Sequence, residues 1–131
     1  MKLNLDNKYF IVGGAGSGFG RAISEQLAKE GAKVLSVSRT EDKLVSLAKS
    51  FPGNIDYIVG DIMKSGVQQN ILEWTNGKHI SGIVFNASGP PAGGVFDANM
   101  EMGDTAWREI VRWKIEFAYK ILPILKEQKY G

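Results

Sequence analysis

A chain of 131 residues is long enough for one domain with a buried core, and the absence of cysteine excludes disulfides, zinc-thiolate sites and thiol nucleophiles. Sixteen basic and fourteen acidic residues are scattered along it and give a net charge of +2, which excludes a nucleic-acid-binding stripe. Because there is no secretory signal and no apolar run of about eighteen residues, we expect a cytoplasmic protein without a membrane partner.

The first predicted elements are a strand at residues 9–12, a glycine-rich turn and a helix that starts at about Gly18 and ends at Gly31. In this arrangement backbone N–H groups and a helix N-terminus point toward an anion. Because glycine has no side chain, a phosphate can come close to the backbone. The spacing is Gly14-x-x-x-Gly18-x-Gly20, which matches neither G-x-G-x-x-G nor a Walker loop. The alternative is a glycine turn with a purely structural role.

A second strand is predicted at residues 33–38, and Arg39 and Thr40 follow it. In dinucleotide-binding folds, an acidic residue here favours a free ribose 2′-hydroxyl and an arginine accommodates a 2′-phosphate. Ser38 and Arg39 therefore favour NADP (NADPH) over NAD, since a guanidinium can hold a phosphate with two charge-assisted hydrogen bonds. The alternative is that Arg39 is a solvated loop cation.

Thr40 is predicted to cap a helix at 41–50, and a third strand is predicted at 55–60. Asp61 and Ile62 follow that strand. The Asp61 carboxylate could accept a hydrogen bond from an adenine amino group, or it could cap the next helix, which begins near Lys64. The spacing leaves both alternatives open.

A fourth strand at 80–85 completes a strand–helix alternation that predicts an α/β domain over residues 1–131, with a parallel sheet of order 3-2-1-4. Asn86, Ala87 and Ser88 follow at the carboxyl end of the sheet, where ligands bind, and the Asn86 amide can hold the loop by hydrogen bonds. His79, the only histidine, precedes the strand at the opposite end. We therefore expect it to be a surface residue, and no metal site is predicted.

The last predicted element is a long helix with Asp104 as its N-cap and an end at about Lys126. Lys114 interrupts its apolar stripe, and a second apolar line widens the surface beyond what one sheet face needs, so another helix is expected to cover it. Pro123 should bend the last turn. The stripe consists of Trp107, Val111, Lys114, Ala118, Ile121 and Leu125, and the second line of Ile110, Trp113, Phe117 and Ile124.

Together these motifs resemble the short-chain dehydrogenases/reductases across about residues 5–131, in particular the NADP-preferring members. The pair Pro90-Pro91 after Gly89 resembles the sequence of a subset of the family that is described as 3-oxoacyl-acyl-carrier-protein reductase-like. The resemblance implies a Rossmann-type, doubly wound sheet and hydride transfer between NADP and a small carbonyl or alcohol substrate. It also implies that the dinucleotide contacts Gly14, Ser17, Gly18, Phe19, Gly20, Ser38, Arg39, Thr40, Asp61, Ile62, Asn86, Ala87 and Ser88.

Two features depart from the family pattern. The family's catalytic asparagine falls on Lys114, which cannot accept a hydrogen bond but could orient an anionic substrate, replace part of a proton relay, or do no chemistry. The catalytic Ser and Tyr-x-x-x-Lys are absent from the sequence, which stops after the fourth strand and the long helix. We therefore expect the dinucleotide-binding half of such an enzyme, without turnover by itself.

Alternatives are a non-catalytic NADP-binding module or partner subunit, and a structural fragment that binds nothing tightly. An unprotected apolar edge along ISGIVF, at residues 80–85, invites another chain. We therefore expect a homo-oligomer that forms through this edge or through the long helix.

Overall fold

A single parallel sheet organises the protein, as seen in a computed structural model that describes residues 2–87, 89 and 92–131. The predicted order 3-2-1-4 is confirmed, since β2 pairs with β1 and β3, and β4 pairs with the other side of β1. The α/β, Rossmann-type interpretation is thereby confirmed. The strands are β1 (Tyr9–Gly13), β2 (Lys33–Ser38), β3 (Ile55–Val59) and β4 (Ile80–Val84).

Helices cover both faces of the sheet. On one face α1 and α2 pack over a core that includes Val12 and Val34, and on the other α3 and α5 pack over Ile11 and Leu35. Successive strand residues point to opposite faces, which is why neighbours in sequence enter different cores. The helices are α1 (Gly18–Lys29), α2 (Glu41–Ser50), α3 (Ser65–Trp74), α4 (Met100–Trp107) and α5 (Trp113–Gln128).

The prediction that Asp104 caps the long helix is wrong. The N-cap lies five residues earlier, at Asn99, whose side-chain oxygen accepts the Met102 N–H at 2.9 Å, and the helix begins at Met100. Asn and Asp are equally good N-caps, so residue type alone does not distinguish Asn99 from Asp104. The predicted single helix is in fact two helices, α4 and α5, joined by a π-helical segment at Arg108–Arg112.

The π segment changes which side chains face the sheet. A π turn holds an extra residue, so the α-helical spacing from Trp107 onward does not continue into α5. The buried side chains of α5 are Trp113, Phe117 and Ile121, whereas Trp107 is half exposed. The predicted stripe from Trp107 to Leu125 is therefore wrong, because the buried face takes Ile121 from that stripe but Trp113 and Phe117 from the second apolar line.

The last residues of α5 and those that follow contact the beginning of β4. The Gln128 side chain accepts the Ile80 N–H at 3.1 Å and donates to the Ile80 carbonyl at 2.6 Å. The Ser81 hydroxyl donates to the Tyr130 phenol oxygen at 3.3 Å, and this bond lowers the pKa of Tyr130 below its ordinary value. In the part of the chain that is described, no helix has both the length and the apolar content for a membrane crossing.

Candidate active site

The carboxyl ends of the four strands surround a cavity of about 380 Å³. The turns after β1, β2 and β3 and the residues after β4 all contribute to its wall, as expected for ligand sites in parallel sheets. Its lining is formed by Gly14, Gly16, Ser17, Phe19, Val37, Ser38, Arg39, Thr40, Lys43, Gly60, Asp61, Ile62, Met63, Asn86 and Ala87.

The glycine turn after β1 is held open toward this cavity. Gly14 has a φ of +58°, which L side chains rarely adopt, and the next residue, Ala15, donates its N–H to the Val37 carbonyl at 3.0 Å. Gly20 lies so close to the turn that a Cβ there would overlap the Gly14 carbonyl oxygen. Gly14 lines the cavity, whereas Gly20 is buried beneath the turn and Gly18 opens α1 outside the lining.

Two helices begin at the cavity, and their N-cap side chains leave the first N–H groups of the helix without a capping hydrogen bond among the described residues. Ser17 is the N-cap of α1 and Thr40 that of α2, and among the described residues neither side chain makes a capping hydrogen bond. The first N–H groups of a helix have no partner within the helix, and with the helix dipole they attract an anion. Both N-cap residues line the cavity, so both helix ends are placed to receive anionic groups of a ligand.

The turn after β2 combines a hydroxyl and a guanidinium. Ser38 Oγ accepts the Thr40 N–H at 3.3 Å, which folds the chain tightly after the strand and places Arg39 at the cavity wall. Arg39 is exposed to solvent, and it also interacts with the protein. A phosphate at this wall could accept hydrogen bonds from the Ser38 hydroxyl and from the Arg39 guanidinium.

Asp61 forms a local turn and does not cap α3. Its Oδ1 accepts the Met63 N–H at 2.9 Å, and the N-cap of α3 is Lys64. Of the two roles that the sequence left open for Asp61, capping of α3 is therefore wrong. Contact with a ligand stays a prediction, and the place of the residue in the cavity lining supports it. Beside it, the carbonyl of buried Ile62 accepts a hydrogen bond from Gln68 Nε2 at 2.9 Å.

The residues after β4 close the remaining side. Asn86 Nδ2 donates to the Gly13 carbonyl at 3.2 Å, so the amide holds this loop against the glycine turn as predicted. Ala87 lines the cavity next to it. Ser88, Pro90 and Pro91 lie outside the described residues.

Lys114 lies apart from this group. It sits on α5, with its ammonium 5.9 Å from the centre of the Trp113 ring, and it is not among the cavity-lining residues. His79 is exposed at the opposite end of the sheet. Within residues 2–87, 89 and 92–131, no group of three or more acidic or histidine side chains could hold a metal ion.

Sequence reasoning missed several lining residues, of which Lys43 is the most informative chemically. It lies in the first turn of α2, three residues after the N-cap, and this spacing from Thr40 is the signal that could have identified it. The others are Gly16, Val37, Gly60 and Met63.

Comparison with known proteins gives a consistent result. The family model described as short chain dehydrogenase matches residues 8–131. The chain is 27% identical over 126 residues to an uncharacterized oxidoreductase of Staphylococcus epidermidis, covering 95% of this chain and 55% of that protein. It is 25% identical over 123 residues to the 3-oxoacyl-acyl-carrier-protein reductase of Escherichia coli, covering 91% and 48%.

Among solved structures, L-sorbose reductase from Gluconobacter frateurii, complexed with NADPH and L-sorbose, superposes with a TM-score of 0.84 and 24% identity. The match covers 98% of this chain and 51% of that one, and at this identity it shows a shared fold. The chain spans about half the length of these curated relatives.

Proposed function

The chain belongs to the short-chain dehydrogenase family of oxidoreductases, and from this premise we propose that it is the dinucleotide-binding half of an NADP-dependent short-chain dehydrogenase/reductase. The proposed reaction is hydride transfer between nicotinamide C4, supplied by bound NADP(H), and a small carbonyl or alcohol carbon. The residues described here bind and orient the dinucleotide.

One observation carries this proposal: a single cavity joins the glycine turn to the turn that holds Ser38 and Arg39. The N-terminus of α1 at Ser17 and the turn at Gly14, which has no side chain, suit a diphosphate. A dianionic 2′-phosphate suits the guanidinium, the Ser38 hydroxyl and the uncapped start of α2 at Thr40.

The remaining lining residues suit the other parts of the dinucleotide. The Asp61 carboxylate is an acceptor for the adenine amino group, and the buried Ile62 side chain offers an apolar surface to the adenine ring. Asn86 and Ala87 are assigned to the nicotinamide-side ribose, together with Ser88, which lies outside the described residues. The NADPH held by the L-sorbose reductase of the same fold supports the choice of cofactor.

A second candidate is a non-catalytic NADP-binding module or partner subunit. The identity of Lys114 favours it, because an ammonium at the family's asparagine position cannot accept a hydrogen bond. The two candidates differ in turnover: a reductase half completed by its catalytic residues oxidises NADPH in the presence of a carbonyl substrate, whereas the module only binds the dinucleotide.

The test is the binding of NADPH and NADH, by calorimetry, to the wild-type chain and to Arg39→Ala. A charge-assisted hydrogen bond contributes about 1.5–3 kcal/mol, so the variant should lose roughly 10- to 150-fold in NADPH affinity and little in NADH affinity. Lys49→Ala, which removes a cation from the last turn of α2, is the matched control and should bind as the wild type does. Wild-type protein that binds neither dinucleotide, or binds both equally, would refute the assignment and favour a structural fragment.

We also propose that the protein forms a homo-oligomer. Tyr119, Leu122 and Tyr130 are exposed around an apolar hollow of about 720 Å³ on α5, next to the edge strand β4. Exposed apolar surface of this kind is typical of protein interfaces. Light scattering over a wide concentration range should give a mass above 14.3 kDa, and a constant monomeric mass would contradict the proposal.

A further inference from the structure

Lys43 lies where a second cation would meet the phosphate that Arg39 is proposed to bind. Both residues line the same cavity. A Cβ built on Gly16 would lie 2.5 Å from Ser38 Oγ and 3.6 Å from Lys43 Cδ, so the lysine stem passes beside the glycine turn and the end of β2. Lys43 is exposed to solvent at this wall, so its ammonium is accessible to a ligand.

Among the described residues the Lys43 ammonium makes no hydrogen bond or salt bridge, so no contact in this part of the protein competes for it. The two carboxylates in the same helical turn, Glu41 and Asp42, are exposed and do not line the cavity. The charged residues of this lining are therefore two cations, Arg39 and Lys43, and one carboxylate, Asp61.

Arg21 holds the main chain of Lys43 in place. The guanidinium donates to the Lys43 carbonyl at 3.1 Å and to Ser46 Oγ at 3.5 Å, and its Nε donates to Glu25 Oε1 at 3.0 Å. Arg21 lies on α1, directly after the glycine turn, while Lys43 and Ser46 lie on α2. One side chain therefore connects the helix that starts at the proposed diphosphate site with the helix that starts at the proposed 2′-phosphate site.

We propose that Lys43 is the second cation of the 2′-phosphate subsite and that Arg21 is the residue that positions it. This inference rests on the proposed NADP site. A ribose 2′-phosphate carries nearly two negative charges at pH 7, and one guanidinium balances only one of them. The ammonium of Lys43 balances the second. NADH has a neutral hydroxyl at the same position, so Lys43 should affect the choice between the two cofactors and not the binding of dinucleotides in general.

The experiment compares the dissociation constants of NADPH, NADH and adenosine 2′,5′-bisphosphate for Lys43→Met, which keeps the stem and removes the charge. NADPH and the bisphosphate should bind about 5- to 15-fold more weakly, and NADH should bind as before. Lys43→Arg keeps the charge and should stay within about 3-fold of the wild type. Lys49→Met is the matched control at the far end of the helix.

Arg21→Met tests the positioning role. It should lower the NADPH-to-NADH affinity ratio, and in the double variant with Lys43→Met it should add little, because both changes act on one ammonium. Glu25→Gln removes the salt bridge but leaves the two contacts to α2, and it should leave the ratio unchanged. If Arg21 had only a structural role, its loss would weaken NADPH and NADH equally.

An unchanged NADPH-to-NADH affinity ratio in Lys43→Met, in a protein whose NADPH binding is weakened by Arg39→Ala, would overturn this inference and leave the NADP site intact. A wild-type protein that binds no dinucleotide would overturn both.

Discussion

Removing the ammonium of Lys120 should destabilise the protein through a buried glutamine. Gln68 on α3 is fully buried, and both ends of its amide are bonded: Nε2 donates to the Ile62 carbonyl at 2.9 Å, and Oε1 accepts from Lys120 Nζ at 2.7 Å. Lys120→Met preserves the aliphatic stem and leaves that oxygen without a donor. A buried acceptor without a partner has lost its hydration with no compensation.

The expected magnitude follows from the two contacts of the ammonium. The short bond to Gln68 is charge-assisted, a class that contributes about 1.5–3 kcal/mol, but Lys120 is only partly buried and water can compensate in part. The bond to the exposed Ser65 hydroxyl, at 3.1 Å, adds little. We expect the free energy of unfolding to fall by about 1–2 kcal/mol.

Urea denaturation followed by tryptophan fluorescence measures this change. Lys49→Met, at the exposed end of α2, is the control and should stay within about 0.5 kcal/mol of the wild type. A Lys120→Met variant as stable as that control would refute the reasoning. Gln68→Leu combined with Lys120→Met should cost less than the sum of the single changes, because both partners of the bond are then absent.

Two further predictions concern contacts of single side chains. Asn86→Ala removes the bond to the Gly13 carbonyl, and we expect a loss of about 1 kcal/mol in unfolding free energy together with weaker NADPH binding, whereas unchanged values of both would show that the amide does not hold the loop. Trp113→Phe keeps an aromatic ring but removes the indole N–H that donates to the Glu109 carbonyl at 2.8 Å, so we expect a loss of about 1–2 kcal/mol by urea denaturation, and wild-type stability would show that water replaces the indole.

The sequence was sufficient to predict the sheet and most of the residues that line the cavity. Short β-branched strands, each followed by a helix, predict a parallel sheet, and right-handed crossovers are compatible with the observed order 3-2-1-4. The helix end at Gly31 also follows from the sequence, because glycine adopts a left-handed conformation at low cost, and its φ in the structure is +86°. In each case local chemistry and tertiary structure lead to the same answer.

The π segment before α5 could not be predicted in this way. Its extra residue is not visible in the spacing of the apolar residues, and the bond there from the Trp113 indole to the Glu109 carbonyl is a contact of the folded chain. The apolar residues of this region were identified correctly, but the buried face was not. Lys43 has a sequence signal, its spacing of three residues from the N-cap Thr40, but its place beside Gly16 is seen only in the folded chain.

The amide side chain of Gln128 imitates a peptide unit, because it donates to and accepts from the same residue, Ile80, as a neighbouring strand would. It therefore occupies the first rung of the ladder on the free side of β4. Any polypeptide that extends the sheet there must displace this amide or begin its pairing beyond Ile80. One glutamine thus restricts the alignment of whatever joins the sheet.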